Sequence, residues 1–355
     1  MSRSIEPIIV IGAGVIGLSC ATVLQSRYPQ AVITIVAAEF PDSNVPSADY
    51  ASAWAGAHYR PIPQSTAQLR DEAQLAFRTM EVMRNIARNS PDAGVATMQG
   101  IEYVENPGDD VSGLRTGDVY AGPGDGFRIL EQSELPVGAK WGCDYQTYAL
   151  NVHVYCQWLL DRFVARGGKV FQYHLSRASE AFDLLQRDGG PPIKTVVNCS
   201  GRNFDQDPKM KIIRGQTVLV KQQYCKTITR QNRDGSWIFL IPRPRHGGTI
   251  VGGTKEIGDF YEKARPETRS KLLQMCVEAF PDFVGSVEEF EVIKDNVGRR
   301  PWRDGGVRTE VEAFGQDRRI VHSYGAGGRG YELSWGIAER VAQLMGRNSN
   351  IPARL

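Results

Sequence analysis

The sequence predicts an α/β protein in which a parallel-sheet domain is split by an inserted β-rich domain. Three observations predict it. An apolar run, Ile8-Ile9-Val10-Ile11, feeds Gly12-Ala13-Gly14-Val15-Ile16-Gly17, then a helical pattern, then a second apolar run ending near Glu39. From Arg214 onward, short strand-like runs bounded by Gly, Pro and polar turns dominate. Near the C-terminus, an apolar run at 319–323, a glycine-dense turn at 325–330 and a helical pattern repeat the order of the start.

The first stretch is one βαβ unit with the spacing of the dinucleotide fingerprint. Gly12 permits the tight turn, Gly14 lets backbone approach a pyrophosphate, and Gly17 lets the helix pack close to the strand. Ala13, Gly14, Val15 and Ile16 open a helix whose N-terminus offers unpaired N–H groups and a positive dipole end to phosphates. Glu39 stands about where a carboxylate accepts hydrogen bonds from an adenosine ribose. Glycine turns also serve bare strand-to-helix packing, but the flanking elements and the acid favour a cofactor. FAD and NAD(P) both stay open at this point.

With 355 residues, 41% of them apolar, the chain can bury a large core and suits two domains. A net charge of +2 gives no general attraction to nucleic acid or membrane surfaces. No apolar run approaches the roughly 18 residues of a bilayer span. Met1-Ser2-Arg3-Ser4 leads into the first strand with no cleavable apolar stretch, so secretion by that route is not expected. The six cysteines show no metal-ligand spacing, and most read as buried thiols of a reducing compartment; a Cys143–Cys156 pair stays open. Five histidines form no metal-spaced cluster, and no metal site is expected. Ala353-Arg354-Leu355 follows the small-basic-leucine pattern of the peroxisomal address, against the alternative of a chance tripeptide.

Beyond Glu39, residues 41–49 are turn formers. The small residues of Tyr50-Ala-Ser-Ala-Trp-Ala-Gly-Ala-His-Tyr-Arg-Pro61 would let backbone lie against a flat ring system, which makes Ala51, Ser52, Gly56 and Ala57 cofactor candidates. Residues 69–86 are helical, with Ala73, Phe77, Met80 and Met83 as a core stripe. Residues 97–140 suggest irregular strands or a lid. A helix follows at 152–164 and a strand at 169–173. Thr195-Val-Val-Asn-Cys-Ser-Gly201 reads as a buried strand delivering Cys199, Ser200 and Gly201 beside the cofactor. Strand-like runs at 214–222, 237–241, 248–252 and 290–294 are interrupted by one helix that Pro266 begins and Pro281 ends. The last helix spans about 334–345. The fold class is therefore a split Rossmann-type domain (1–60, 145–213 and 305–355) plus an inserted β-rich substrate-binding domain (61–144 and 214–304). Interrupting the βαβ unit so early favours bound FAD over a diffusing nicotinamide.

The stretch Val321-His-Ser-Tyr-Gly-Ala-Gly-Gly-Arg-Gly-Tyr-Glu-Leu-Ser-Trp-Gly336 closely resembles the C-terminal signature of the D-amino-acid oxidase family, which includes D-aspartate oxidase. Trp54-Ala-Gly-Ala-His58, Asn198-Cys-Ser-Gly201, Arg214-Gly-Gln-Thr-Val-Leu-Val-Lys221, Ile241-Pro-Arg-Pro244, Gly252-Gly-Thr254 and Asn296-Val-Gly-Arg-Arg-Pro301 match in family order along nearly the whole chain. The resemblance places the substrate-carboxylate arginine on Arg300 and the carbonyl that receives the substrate amine on Gly328. It puts Gly327, Gly330, Tyr331 and Glu332 around the flavin, and Val170 completes the expected cofactor set. A peroxisomal ending is also usual in the family, which implies an import receptor as partner; the oligomeric state stays open.

Three departures bear on the substrate. Phe239 stands where the family usually carries a tyrosine whose hydroxyl contacts the substrate carboxylate. Lys255 follows Gly-Gly-Thr, where yeast-type D-amino-acid oxidases carry Tyr and animal D-aspartate oxidases Arg. Arg60 precedes Pro61, where broad-specificity members tend to have Gln or Thr. Two cations beyond Arg300 point to acidic D-amino acids, D-aspartate first; a broad-specificity oxidase of neutral D-amino acids is the alternative. The resemblance implies oxidative deamination to a 2-oxo acid, ammonia and hydrogen peroxide, with O2 as second substrate and no protein acid or base. His58 is expected to pack beside the flavin. An NAD-dependent dehydrogenase and a flavoprotein retained only for binding are the rival readings.

Overall fold

The structure, a computed structural model, describes residues 6–184, 191–201, 206–315 and 317–347, residue 347 in its backbone only. The tripeptide 353–355 lies outside the described residues. In chain order the first elements are β1 (Ile8–Ile11), α1 (Val15–Arg27), β2 (Ile33–Ala37), β3 (Ala57–His58), α2 (Ala67–Asn89), β4 (Val95–Val104) and α3 (Asp109–Ser112). There follow β5 (Arg128–Ile129), β6 (Trp141–Leu150), α4 (Val152–Ala165), β7 (Lys169–Gln172), β8 (Thr195–Asn198) and β9 (Met210–Val220). The rest are β10 (Thr227–Gln231), β11 (Trp237–Pro242), β12 (Thr249–Gly252), β13 (Glu256–Ile257), α5 (Pro266–Ala279), β14 (Val292–Arg303), β15 (Arg308–Phe314), β16 (Arg318–Tyr324) and α6 (Gly330–Arg347).

The chain divides into two units. The first comprises Met1–Ala53, Cys156–Ile212 and Arg300–Leu355, the second Trp54–Tyr155 and Ile213–Arg299. These bounds move residues 54–60 and 145–155 into the second unit because β3 pairs with β6 there. Residues 300–304 move into the first, where Trp302 bridges Ala326.

The first unit is built on a sheet ordered β15-β16-β8-β1-β2-β7. All its neighbours are parallel except β15, which forms a hairpin with β16. Ile9 and Val10 are fully buried, as are Val196 and Val197 beside them; unbroken apolar strands of this kind belong to sheets covered on both faces. Helix α1 packs on α6. Edge strand β7 is exposed throughout.

The second unit holds a larger sheet ordered β13-β9-β12-β11-β10-β4-β6-β3, with β14 added to β9 and β5 to β6. Its core combines Val218, Val220, Leu240 and Val251 with Leu272, Leu273, Cys276 and Phe280 from α5 and its end. Thr66 caps α2 by accepting from Leu69 N at 3.1 Å, and Pro266 sits in the first turn of α5, where its missing N–H costs nothing.

Several elements differ from the sequence reading. The segment expected to be irregular contains β4, paired along its whole length with β6. Strand β14 runs on to Arg303 rather than stopping at 294, so Asn296 to Pro301 is strand. Helix α6 starts at Gly330, whose φ of −52° is already helical. Cys143 and Cys156 do not pair; all six cysteines are free and Cys156 Sγ lies 3.1 Å from the Tyr331 hydroxyl. No helix among the described residues is long and apolar enough to cross a membrane, and no metal-holding cluster occurs among them.

Candidate active site

In the first unit β1 lies between β2 and β8, all parallel, and the chain leaves toward opposite sides of the sheet. The carboxyl ends of β1 and β8 therefore flank a topological switch point, where open α/β sheets bind ligands. The fingerprint turn sits on the β1 end. Gly12 has φ +97°, and a Cβ there would lie 2.5 Å from the Cys199 carbonyl oxygen. A Cβ on Gly17 would lie 1.9 Å from the Gly12 oxygen, so helix and turn touch backbone to backbone.

Helix α1 has no acidic residue in its first turn, and its N-cap, Gly14, has no side chain to cap it. Ser52 supplies part of the cap: Val15 N donates to its Oγ at 3.0 Å. Ser52 belongs to the turn Ala51–Trp54, and two tyrosines tie this region to the fingerprint and to the start of α6. Tyr50 donates to the Ala13 carbonyl at 2.7 Å, and Tyr331 donates to the Ser52 carbonyl at 2.8 Å. Nothing in the spacing announced these links, since Tyr331 and Ser52 are 279 positions apart.

Glu39 follows β2 and accepts from Ser47 N and Ser47 Oγ, each at 2.6 Å. A carboxylate has about four acceptor sites, so both oxygens can still receive a ribose hydroxyl. Ser200 N donates to Asn198 Oδ1 at 3.1 Å, while Ser200 Oγ is buried with no partner among the described residues. Val170, 47% exposed, pairs with Ile35 at the sheet edge. Gly327 opens the short turn Gly327–Arg329 before α6; a Cβ on Gly330 would lie 3.5 Å from Val15 Cγ1, so the starts of α6 and α1 adjoin. Glu332, 8% exposed, lies in the first turn of α6, where a carboxylate suits the dipole. Glycine turns that a Cβ would fill, a helix start free of acid, an orphaned Ser200 hydroxyl and an acceptor at Glu39 all suit a dinucleotide; FAD fits these residues.

The first unit also brings two substrate candidates together. Arg300 Cδ lies 3.5 Å from the position a Gly328 Cβ would take. A guanidinium fork therefore passes over the backbone expected to receive an amine.

The other candidates lie in the second unit. Arg60 NH2 is 3.2 Å from Glu102 Oε2, and Tyr145 donates to Glu102 Oε1 at 3.1 Å. Glu102 is only 2% exposed. Burial works against the Arg60 charge, but the charge and hydrogen bond of Glu102 outweigh it and push the guanidinium pKa up. Arg60 is thus a compensated cation. Lys255 is exposed between β12 and β13. The loop after it is held by Arg214, which is fully buried and donates to the carbonyls of Tyr261 and Lys263 at 2.7 Å, and also to Glu256. The Phe239 ring packs so closely on Gly252 that a Cβ there would fall 2.5 Å from it. Gly56 lies against Ile250, 3.0 Å from its would-be Cβ, and Ala57 is buried. His58 is held neutral, its pKa lowered to about 3 by burial and then by the Arg60 charge. Glu102, Tyr145 and Arg214 went unassigned in the sequence because their partners are far away in the chain.

A family model described as FAD dependent oxidoreductase (DAO) matches residues 7–344. The chain is 58% identical over 353 residues to a D-aspartate oxidase of Talaromyces thermophilus, covering 95% of this chain and 94% of that one. This chain belongs to the D-amino-acid oxidase family. As in that family, FAD is its cofactor. A D-amino-acid oxidase of Fusarium vanettenii is 32% identical over 358 residues, covering 95% and 96% of the two chains. Among solved structures, a glycine oxidase of Geobacillus kaustophilus superposes with a TM-score of 0.73 at 17% identity, covering 96% and 95%. That likeness gives the D-amino-acid oxidase family its fold here and nothing about substrate.

Proposed function

We propose that this chain oxidatively deaminates acidic D-amino acids, D-aspartate first, to the 2-oxo acid, ammonia and hydrogen peroxide. The observation that carries the reading is Arg300 laid alongside Gly328. Arginine can grip an α-carboxylate through two parallel hydrogen bonds. The Gly328 carbonyl accepts from the amine; these two contacts hold the carboxylate and the amine, and a third constraint, the side on which the Cα–H must lie for transfer, selects the enantiomer. FAD, when bound, supplies the two-electron acceptor and returns the electrons to O2. Gly12 to Ile16, Ser52, residues 199–201, Glu39 and the start of α6 would hold it. No side chain need act as acid or base, since orientation and charge complementarity do most of the work. Neutral His58 is no proton acceptor of consequence near pH 7.

The acidic preference is supported by the D-aspartate oxidase relative and by the cation at Lys255, where animal D-aspartate oxidases carry Arg. Arg60 would add a guanidinium already compensated by Glu102. Phe239, where the family usually carries tyrosine, has no hydroxyl to offer a carboxylate. We also infer peroxisomal import through Ala353-Arg354-Leu355. An oxygen-consumption panel of D-Asp, D-Glu, D-Ala, D-Phe, D-Lys and L-Asp tests the reading. D-Asp should lead and L-Asp and D-Lys should be poor; a lead for D-Ala would make the enzyme a broad D-amino-acid oxidase.

A further inference from the structure

The buried polar links of the first unit extend past the fingerprint to His322, to which the reaction assigns no part. Strands β16 and β8 are parallel neighbours with His322 opposite Asn198, and the two side chains are 2% and 0% exposed. Asn198 Oδ1 accepts from Ser200 N at 3.1 Å, which turns its Nδ2 toward His322 Nδ1 at 3.3 Å. On the other side of the ring, Nε2 is 3.1 Å from Glu312 Oε2. These three contacts fix the tautomer. An amide nitrogen only donates, so Nδ1 must accept; Nε2 then carries the hydrogen and gives it to the carboxylate.

We infer that His322, as the neutral Nε2–H tautomer, is a positioning residue for the flavin-side turn at 199–201, acting through the Asn198 amide. A proton on Nδ1 would set donor against donor at Asn198. Rotating the amide would satisfy the ring but present Nδ2 to the Ser200 N–H, so one link is lost either way. The loss reaches the cofactor cradle because this turn is packed on the fingerprint: the space beside Gly12 is bounded by the Cys199 carbonyl and by Ser200 Cα, 2.5 and 3.4 Å from a Cβ placed there.

The charged surroundings bias this equilibrium from both sides. On β15, Glu312 favours a protonated ring, while Arg308, 2.9 Å from Glu312, opposes it; Glu310 stands opposite His322 in register. On its own strand the neighbours are Tyr324, with ring centroids 5.7 Å apart, and Arg319 at the strand's start. Asn198 on β8 is neutral. In α6, which also packs on β16, the buried ionisable side chains are Tyr331 and Glu332.

The test is the FAD dissociation constant of the flavin-free protein, measured by flavin fluorescence between about pH 5.5 and 8.5. Loss of one such hydrogen bond is worth on the order of tenfold, so the wild-type constant should rise about tenfold on the acid side. His322→Ala should raise it by a similar factor at every pH. His322→Gln, whose amide can accept from Asn198 and donate to Glu312, should restore affinity at neutral pH and show no acid step. An acid step in His322→Gln equal to that of wild type would overturn the inference, as would wild-type affinity in Asn198→Ala. Should these variants not fold, 15N NMR of the wild-type ring decides: an unprotonated Nδ1 at neutral pH supports the inference, and an Nδ1–H tautomer sinks it.

Discussion

Arg300 and Gly328 adjoin in one unit, and the arginine is the side chain on which turnover should depend most. Arg300→Leu is expected to keep bound flavin, seen in the visible spectrum, and to lose on the order of a thousandfold in kcat/KM. Removing one partner of a desolvated charge pair costs several kcal/mol. Near-normal kcat/KM would shift the assignment to Arg299. The two further cations should behave differently from one another. A charge about 4 Å from a carboxylate is worth up to ~4 kcal/mol at an effective dielectric near 20, and exposure of Lys255 reduces that. Lys255→Met should therefore lower the ratio of kcat/KM for D-Asp over D-Ala by roughly three- to tenfold. Arg60→Gln should change the ratio less and the stability more, since it leaves Glu102 buried without its cation, at a cost of about 3–5 kcal/mol. Equal ratios in wild type and Lys255→Met would remove the lysine from the selectivity account.

The element on which binding turns is the start of α1, where Gly14 has only Ser52 beside it. A Cβ at Gly14 would stand 3.0 Å from Ser52 Oγ, so Gly14→Val should displace that hydroxyl from Val15 N and crowd the cradle. FAD affinity of the purified variant should fall at least tenfold; full flavin occupancy at wild-type affinity would make the fingerprint a packing turn only. This element was legible in the sequence because its signals are local: an apolar strand, glycines at fixed offsets and a helical stripe. Strand β6 was not, because Asp144 and Gln146 interrupt its apolar run while Cys143, Tyr145 and Tyr148 stay buried. Strand β14 carries charged Arg299 and Arg300 and then Pro301 beyond the apolar run that ended at 294, yet it continues to Arg303. The adjacency of Arg300 and Gly328 was legible because family motifs marked both residues. Pairs formed across long separations, Arg60 with Glu102 and Tyr331 with Ser52, leave no periodic trace and had to be found in the fold.

At the scale of the whole molecule, two partly buried histidines add to the acid limb of stability. The pKa of His58 is lowered to about 3 by burial and then Arg60, and that of His153 to about 4 by burial and then Arg243 and Lys294, against 6.5 for the free side chain. Between those values the unfolded chain holds more protons than the folded one. Their contribution is therefore complete above about pH 6.5 and is lost as pH falls toward about 4 and then 3. His153→Gln should flatten thermal stability between about pH 4 and 7; an unaltered slope would contradict this. Deleting Ala353-Arg354-Leu355 should leave a fluorescently tagged chain in the cytosol, and punctate import of the truncated chain would dismiss the address. The strand order of the first sheet also governs how the protein can be made. Strand β1 leaves the ribosome first, while β16 is completed about 310 residues later. At roughly 5–20 residues per second the wait is tens of seconds. Until then the edge of β8 that β16 will cover is open to a chaperone or to another nascent chain, and a message cut short loses the whole first unit rather than its last helix alone. The cradle that includes the start of α6 is accordingly complete only when nearly the whole chain has been made.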